Sequence, residues 1–254
     1  MSEKNTNSNS MKGLWKPVII AVAVIVSAVV LSMAYTEKHR SQAGIISVTG
    51  LGETEFTSDL IIIKGSISAN NEDASASYEM MEHNRKLLVD FLTERGVDID
   101  DITFNVPSTR PVETSHYVDG NWAGYTFSHY CSSQSFAIES KSVDVVENAS
   151  RELPSLIGQG VSIDVYDPMY FFTELDEVKL DLLSEAAEDA RDRAENIAKS
   201  SGAKLGELKD SYAGIFQITS STGDEEFSAG GSFNISSRDK KARVTVHSVY
   251  KIEK

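Results

Sequence analysis

The sequence predicts an α+β fold: an antiparallel or mixed sheet covered by helices, built from two β-α-β passages, a long alanine-rich helix and C-terminal strands, behind a single N-terminal transmembrane helix. Three observations predict it. First, Leu175, Val178, Leu182, Ala186, Ala190, Ala194, Ile197 and Ala198 recur at spacings of three and four, which sets them on one face of a helix over 173–205. Half of these are alanines, so the face is shallow and lets the helix backbone lie close to a sheet. Second, short β-type runs alternate with helical patterns and hairpin signals across 45–252, an arrangement that favours helices laid on one face of a sheet. Third, the 18 residues from Val18 to Tyr35 hold no charge and only two serines, a length that spans a bilayer.

In chain order, residues 1–17 read as a short polar, Asn/Ser-rich cytoplasmic tail. Residues 18–35 form the anchor. Trp15 and Tyr35 stand near its ends, where aromatic belts form, and Lys4, Lys12 and Lys16 precede it against Lys38 and Arg40 after it. That basic bias places the N-terminus inside and exports the rest. The competing reading is a cleaved signal peptide, because Ser32 and Ala34 offer a small-x-small site before Tyr35; the apolar run is longer than a signal segment needs. A linker at 36–44 leads into an extracytoplasmic domain over 45–254.

In that domain 45–48 reads as a strand and 49–53, Thr-Gly-Leu-Gly-Glu, as a turn or bulge. The Gly-x-Gly is no dinucleotide fingerprint: Glu55 occupies the third glycine position and another strand follows. Residues 60–68 are an isoleucine-rich strand. Asn71 or Asp73 caps a helix that presents Met81, Leu88, Phe91 and Leu92 and ends at Gly96. The acidic run 98–101 lacks the twelve-residue calcium loop and its glycine, and reads as a solvated turn. A strand at 102–106 precedes a long hairpin arm at 110–124, turned by Asp119-Gly120-Asn121, and a strand at 125–139 follows. A helix at 143–156 is broken at Pro154. Val161, Ile163 and Val165 alternate in a strand. After the long helix, with Thr173 as its candidate N-cap, come a strand at 213–219, a glycine-rich loop at 220–232, and a closing strand at 241–252 with Val244, Val246, Tyr250 and Ile252 on one face.

Composition excludes some partners. The 254 residues carry a net charge of −14, and residues 1–35 contribute +2, so the exported part is more acidic still. An acidic surface of this kind repels nucleic acid. Cys131 is the single cysteine, so no intrachain disulfide forms. The chain holds no phosphate-binding Gly-Lys-Ser/Thr loop, no Gly-x-Ser-x-Gly elbow and no His-Glu-x-x-His helix. Its pattern points to no catalytic residue, no metal site and no cofactor.

The motifs carry a resemblance. Ile46-Ser47-Val48-Thr49-Gly50-x-Gly52-Glu53, then Gly96-Val97 with Asp101-Ile102-Thr103, Gly124-Tyr125, the spaced alanines running into Ser201-Gly202-Ala203-Lys204-Leu205-Gly206, and Val249-Tyr250-Lys251-Ile252 are similar in order and spacing to the SIMPL-domain family. Its members include periplasmic immunogenic and oxidative-stress defence proteins. The resemblance covers about 45–252. It implies an α+β fold, an extracytoplasmic location and assembly into large rings, channel-like in some members; together with the anchor at 18–35 it places the chain as a single-pass protein of the bacterial inner membrane with a periplasmic domain, or in the periplasm if the segment is cleaved. It transfers no catalytic residues. Two features depart from the family: the helix interrupted by Pro154, and an anchor where many members have a cleavable signal peptide.

These readings give a membrane-anchored, self-assembling envelope protein with a non-catalytic role, linked to stress defence. Tyr117 and Trp122 flank the arm's turn and are the expected contacts of a homo-oligomer. The alternative is a thiol redox sensor or metal-binding envelope protein using Cys131 with His129 and His116. In that reading His129 and Cys131 lie two apart on one strand face and His116 lies across the hairpin. Against it, Tyr125, Phe127, His129 and Cys131 share a parity that points the pair into the core.

Overall fold

A computed structural model describes residues 20–33, 44–223, 228 and 230–253. The expected tail 1–17, linker residues 36–43 and anchor positions 18, 19, 34 and 35 lie outside the described residues, as do 224–227 and 229 of the expected loop. Residues 20–33 form a helix, α1. Among the described residues no helix is long and apolar enough to cross a membrane.

Among the described residues eleven strands and three further α-helices follow. They are β1 (Ile45–Thr57), β2 (Leu60–Asn71), α2 (Ala74–Glu94), β3 (Ile102–Phe104), β4 (Ser108–Val118), β5 (Asn121–Ser140), α3 (Val143–Glu152), β6 (Ser162–Val165), β7 (Met169–Phe171), α4 (Leu175–Ser200), β8 (Lys204–Ala213), β9 (Gln217–Ser220), β10 (Ser232–Phe233) and β11 (Asp239–Glu253). They build two sheets. One has the order β1-β11-β9-β10, with β8 also on β11; the other has the order β3-β5-β2-β6, with β4 also on β5 and β7 on β2. The class is α+β, as the sequence predicts.

The described residues group into two compact units, one of 51–186 with 213–245 and one built from 187–212, 246–253 and 44–50. In the larger unit the two β-α-β passages interleave. β2 and β3 both run antiparallel to β5, which lies between them, and β5 and β6 both run antiparallel to β2. Each passage therefore joins two parallel strands with one strand inserted. Inward residues of β2 and β5, Ile61, Ile63, Ile67, Phe136 and Ile138, pack with Met81, Leu88 and Leu92 of α2 and with Val146, Leu153 and Leu156. Each such side chain contributes about 1.5–3 kcal/mol on burial. Asp73 caps α2 by accepting the Ala76 N–H at 2.9 Å. Two polar residues, Ser77 and Asn84, are also buried on α2's inner face; Asn84 donates to the Ser68 carbonyl at 3.0 Å, and the Ser77 hydroxyl lies 2.9 Å from the Ala69 carbonyl. Asp98 accepts the Asp100 N–H at 3.1 Å, so the acidic run forms one capped 3-10 turn.

Several boundaries differ from the sequence reading. The segment 49–53 is not a turn: β1 runs through it. Its Gly52 serves close approach. A Cβ at Gly52 would overlap the Leu182 carbonyl oxygen and lie 3.1 Å from the Leu182 carbonyl carbon and 3.2 Å from the Ala186 nitrogen, so the backbone of α4 rests against that strand position. Thr173 does not cap α4 with its side chain; its N–H and hydroxyl both donate to the Asp59 carboxylate. Ile197 is exposed, because the buried row is the strict four-residue series Leu182, Ala186, Ala190, Ala194 and Ala198. α3 stops at Glu152, and Pro154 sits in the first turn of a 3-10 helix over Leu153–Gln159. β8 occupies residues 206–212, which the sequence reading leaves unassigned, together with 204–205 read as helix and 213 read as the start of the next strand; it is exposed along most of its length and shows no apolar alternation.

In the smaller unit Ala190, Ala194 and Ala198 pack with Ile46, Val48 and Tyr250, bordered by Leu205 and Ile252.

Candidate functional site

β5 is 20 residues long, and its partners change along it. From Tyr130 to Ser140 it pairs with β2. From Asn121 to His129 its ladder partner is β4, so these nine residues form a two-stranded ribbon roughly 30 Å long at ~3.3 Å per residue. The turn is the expected one. Asp119 (φ 50°) and Gly120 (φ 79°) both adopt positive φ between the paired Val118 and Asn121, a two-residue type I′ loop.

Two register shifts decide which side chains share a face. Tyr117 pairs with Trp122 but His116 with Gly124, which leaves Ala123 as an extra residue; Val112 pairs with His129 but Glu113 with Phe127, which leaves Ser128 as another. Each bulge flips the alternation once. Trp122, Tyr125, Phe127, Tyr130 and Ser132 therefore line one face, joined on β4 by Tyr117. Ring contacts agree: Trp122 meets Tyr125 edge-on at 5.7 Å, and Phe127 meets Tyr130 at 5.1 Å. Ser132 is buried under α2, where its N–H donates to the Ser77 hydroxyl at 3.0 Å. The aromatic stripe thus prolongs the helix-covered face of the sheet beyond the helix. Tyr117 is 60% exposed, Trp122 59%, Tyr125 66% and Phe127 49%.

The bulge at Ser128 also corrects the expected parity. His129 and Cys131 lie on the face opposite Tyr125 and Phe127, and opposite the buried Ser132, so they do not point into the α2-covered core. Both are half-buried, and His129 Nδ1 lies 2.9 Å from the Ser128 hydroxyl. Cys131 pairs in register with Arg110 and Asn70. His116 pairs with Gly124, five residues before His129, or roughly 16 Å along the ribbon. The three residues of the metal-binding alternative are therefore not gathered at one point, and among the described residues no cluster of three His, Cys, Asp or Glu could hold a metal.

Sequence reasoning missed three polar groupings that only the tertiary fold brings together. Ser47 and Thr49 on β1 bond the two nitrogens of His247, at 3.1 and 3.2 Å, and the Tyr212 ring lies 4.9 Å from the imidazole. Both hydroxyl residues are exposed on the strand surface, so the trio is a cross-strand network at the surface. In the larger unit Glu53 accepts from Lys241 and Arg243, which hold its carboxyl below the ordinary 4.5 against the opposing effect of burial. Arg238 bridges Asp144 and Glu147 there. Its hydrogen bond lowers the Asp144 pKa, while burial, and then Glu147, raise that of Tyr170.

The family model described as SIMPL, protein of unknown function (DUF541), matches residues 46–250. The chain belongs to the SIMPL family. No curated protein matches it. The SIMPL match covers both sheets and the aromatic ribbon, and it confirms the resemblance carried by the motifs at 46–53, 96–103 and 201–206. The family description assigns no activity, so the function has to be argued from the geometry of this SIMPL domain.

Proposed function

We propose that this SIMPL protein is a membrane-anchored, exported, non-catalytic module that assembles with copies of itself in the cell envelope, through the aromatic ribbon of β4 and β5. One observation carries the reading. A two-stranded ribbon is marginal in water, and this one leaves four large rings, three of them more than half exposed, on a single face. Rings of about 150–250 Å² each make that stripe on the order of 400 Å², the size of a functional patch. Burial against another subunit removes both costs.

The uncharged run from Val18 to Tyr35 supports anchoring in the inner membrane with the domain in the periplasm. The mature protein is expected to retain that run and sediment with membranes; a soluble product beginning at Tyr35 would remove the anchor. A stress-defence role rests on the family likeness alone.

The test of assembly is particle mass of the full chain in detergent, parent against Trp122→Ala. The variant is expected to shift to smaller particles. An unchanged mass removes the ribbon from the interface. Cys131→Ser is expected to leave both mass and stress phenotype as in the parent; loss of the phenotype would favour the redox alternative.

A further inference from the structure

We infer that the ribbon tip docks head-to-tail into a cleft of a second copy, lined by Arg85, Lys86, Val89, Ile99, Ile102 and Phe104. This rests on the proposed self-assembly and names its acceptor. The cleft holds about 450 Å³ between α2 and the start of β3. Its floor is apolar: Val89 comes from the helix, Ile102 and Phe104 from the edge strand, and Ile99, 58% exposed, from the turn between them. Its rim is basic. Arg85 lies over the Phe104 ring, 5.5 Å from its centroid, and pairs with Glu82 at 3.2 Å; Lys86 is exposed beside it.

The tip matches this chemistry. Trp122 and Tyr117 face each other across the ribbon, and Asp119 stands at the turn just beyond them. Indole and phenol rings fit an apolar floor that already presents a guanidinium over an aromatic face. Asp119 meets Lys86 on the rim. Tip and cleft are different surfaces of the chain, so the contact is heterologous. Repeated from copy to copy, it closes a ring when the rotation permits and otherwise grows a filament. An isologous contact of stripe on stripe would stop at two copies.

The test uses three surface variants of the full chain in detergent: Trp122→Ala at the tip, and Ile99→Glu and Lys86→Glu at the cleft. All three positions are exposed, so folding is preserved, and unchanged melting checks this. Each variant alone is expected to weaken self-association at least ~30-fold, the scale of an interface hot spot. Mixing Trp122→Ala with Ile99→Glu is expected to restore one productive contact, the intact tip of the second in the intact cleft of the first, and to give 1:1 pairs that grow no further. Asp119→Lys is expected to rescue Lys86→Glu in the same chain. If Trp122→Ala breaks assembly and both cleft variants keep it, the cleft is the wrong acceptor while the self-assembly reading stands. If all break assembly and the mixture stays unpaired, head-to-tail docking is overturned. If the parent is itself a single chain, both readings fall. If Trp122→Ala keeps the parent mass but loses binding to phospholipid vesicles, the tip serves a membrane and the inference is overturned.

Discussion

Replacing Gly52 with alanine probes the close packing of α4 on β1. A Cβ there would overlap the Leu182 carbonyl oxygen and sit 3.1 Å from its carbon, where unstrained carbons keep about 3.5–4.0 Å. The obstacle is helix backbone, which cannot rotate aside, so this stretch of α4 must retreat by roughly 1 Å. A gap of that size forfeits a quarter to a half of the dispersion energy at each lining contact, and overpacking of this kind costs about 1–3 kcal/mol. Because the clash is with main chain, the upper part of that range applies. For a domain of this size the melting temperature should fall by roughly 5–10 °C. The control is Gly158→Ala, where an added Cβ meets nothing within 4 Å. Its lower unfolded-state entropy should leave stability unchanged or raise it by about 0.4–1 kcal/mol. Thermal melting of both full-length variants in detergent measures the difference. Equal melting temperatures would refute the claim that α4 rests against β1 at this position.

The remaining predictions concern other contacts. Ala190→Leu should destabilise by about 1–3 kcal/mol, because Ala190 is buried against Ile46, Val48 and Tyr250; an unchanged melt would place that face in solvent. Ser77→Ala should cost about 1–3 kcal/mol in denaturant unfolding, since it leaves the buried Ser132 N–H without its acceptor; a smaller loss than a surface Ser→Ala control contradicts the network. Glu53→Gln should lower the melting temperature most at neutral pH. Pairing with Lys241 and Arg243 depresses the folded pKa below 4.5, so its stabilisation is complete above that value and is lost as pH falls through the folded pKa. The gap between parent and variant should therefore close on acidification below about pH 4.5, and a gap that is constant across pH would sink the ion pair as its source.

How much of this was legible in the sequence depends on which signal each element leaves. The four-residue series of alanines gave away the close helix–sheet packing, and Asp119-Gly120 gave away the arm's turn, because both are local patterns. Gly52 was misread as turn chemistry since its reason is the backbone of a helix some 130 residues on. β8 leaves no apolar alternation to read. The bulges at Ala123 and Ser128 are the more instructive case. Simple alternation puts Phe127 and His129 on one face, yet one extra residue between them parts the aromatic stripe from Cys131. Register is fixed by strand pairing, which single-strand periodicity does not record. The buried polar pair Ser77 and Asn84 was hidden likewise, because its partners are carbonyls and a hydroxyl on other strands.

The central claim is that this SIMPL protein assembles, and the native mass of the detergent-solubilised particle tests it most directly. Self-assembly through the ribbon predicts a particle holding several copies of the 27.8 kDa chain, reduced by Trp122→Ala. A parent particle holding one chain would contradict it.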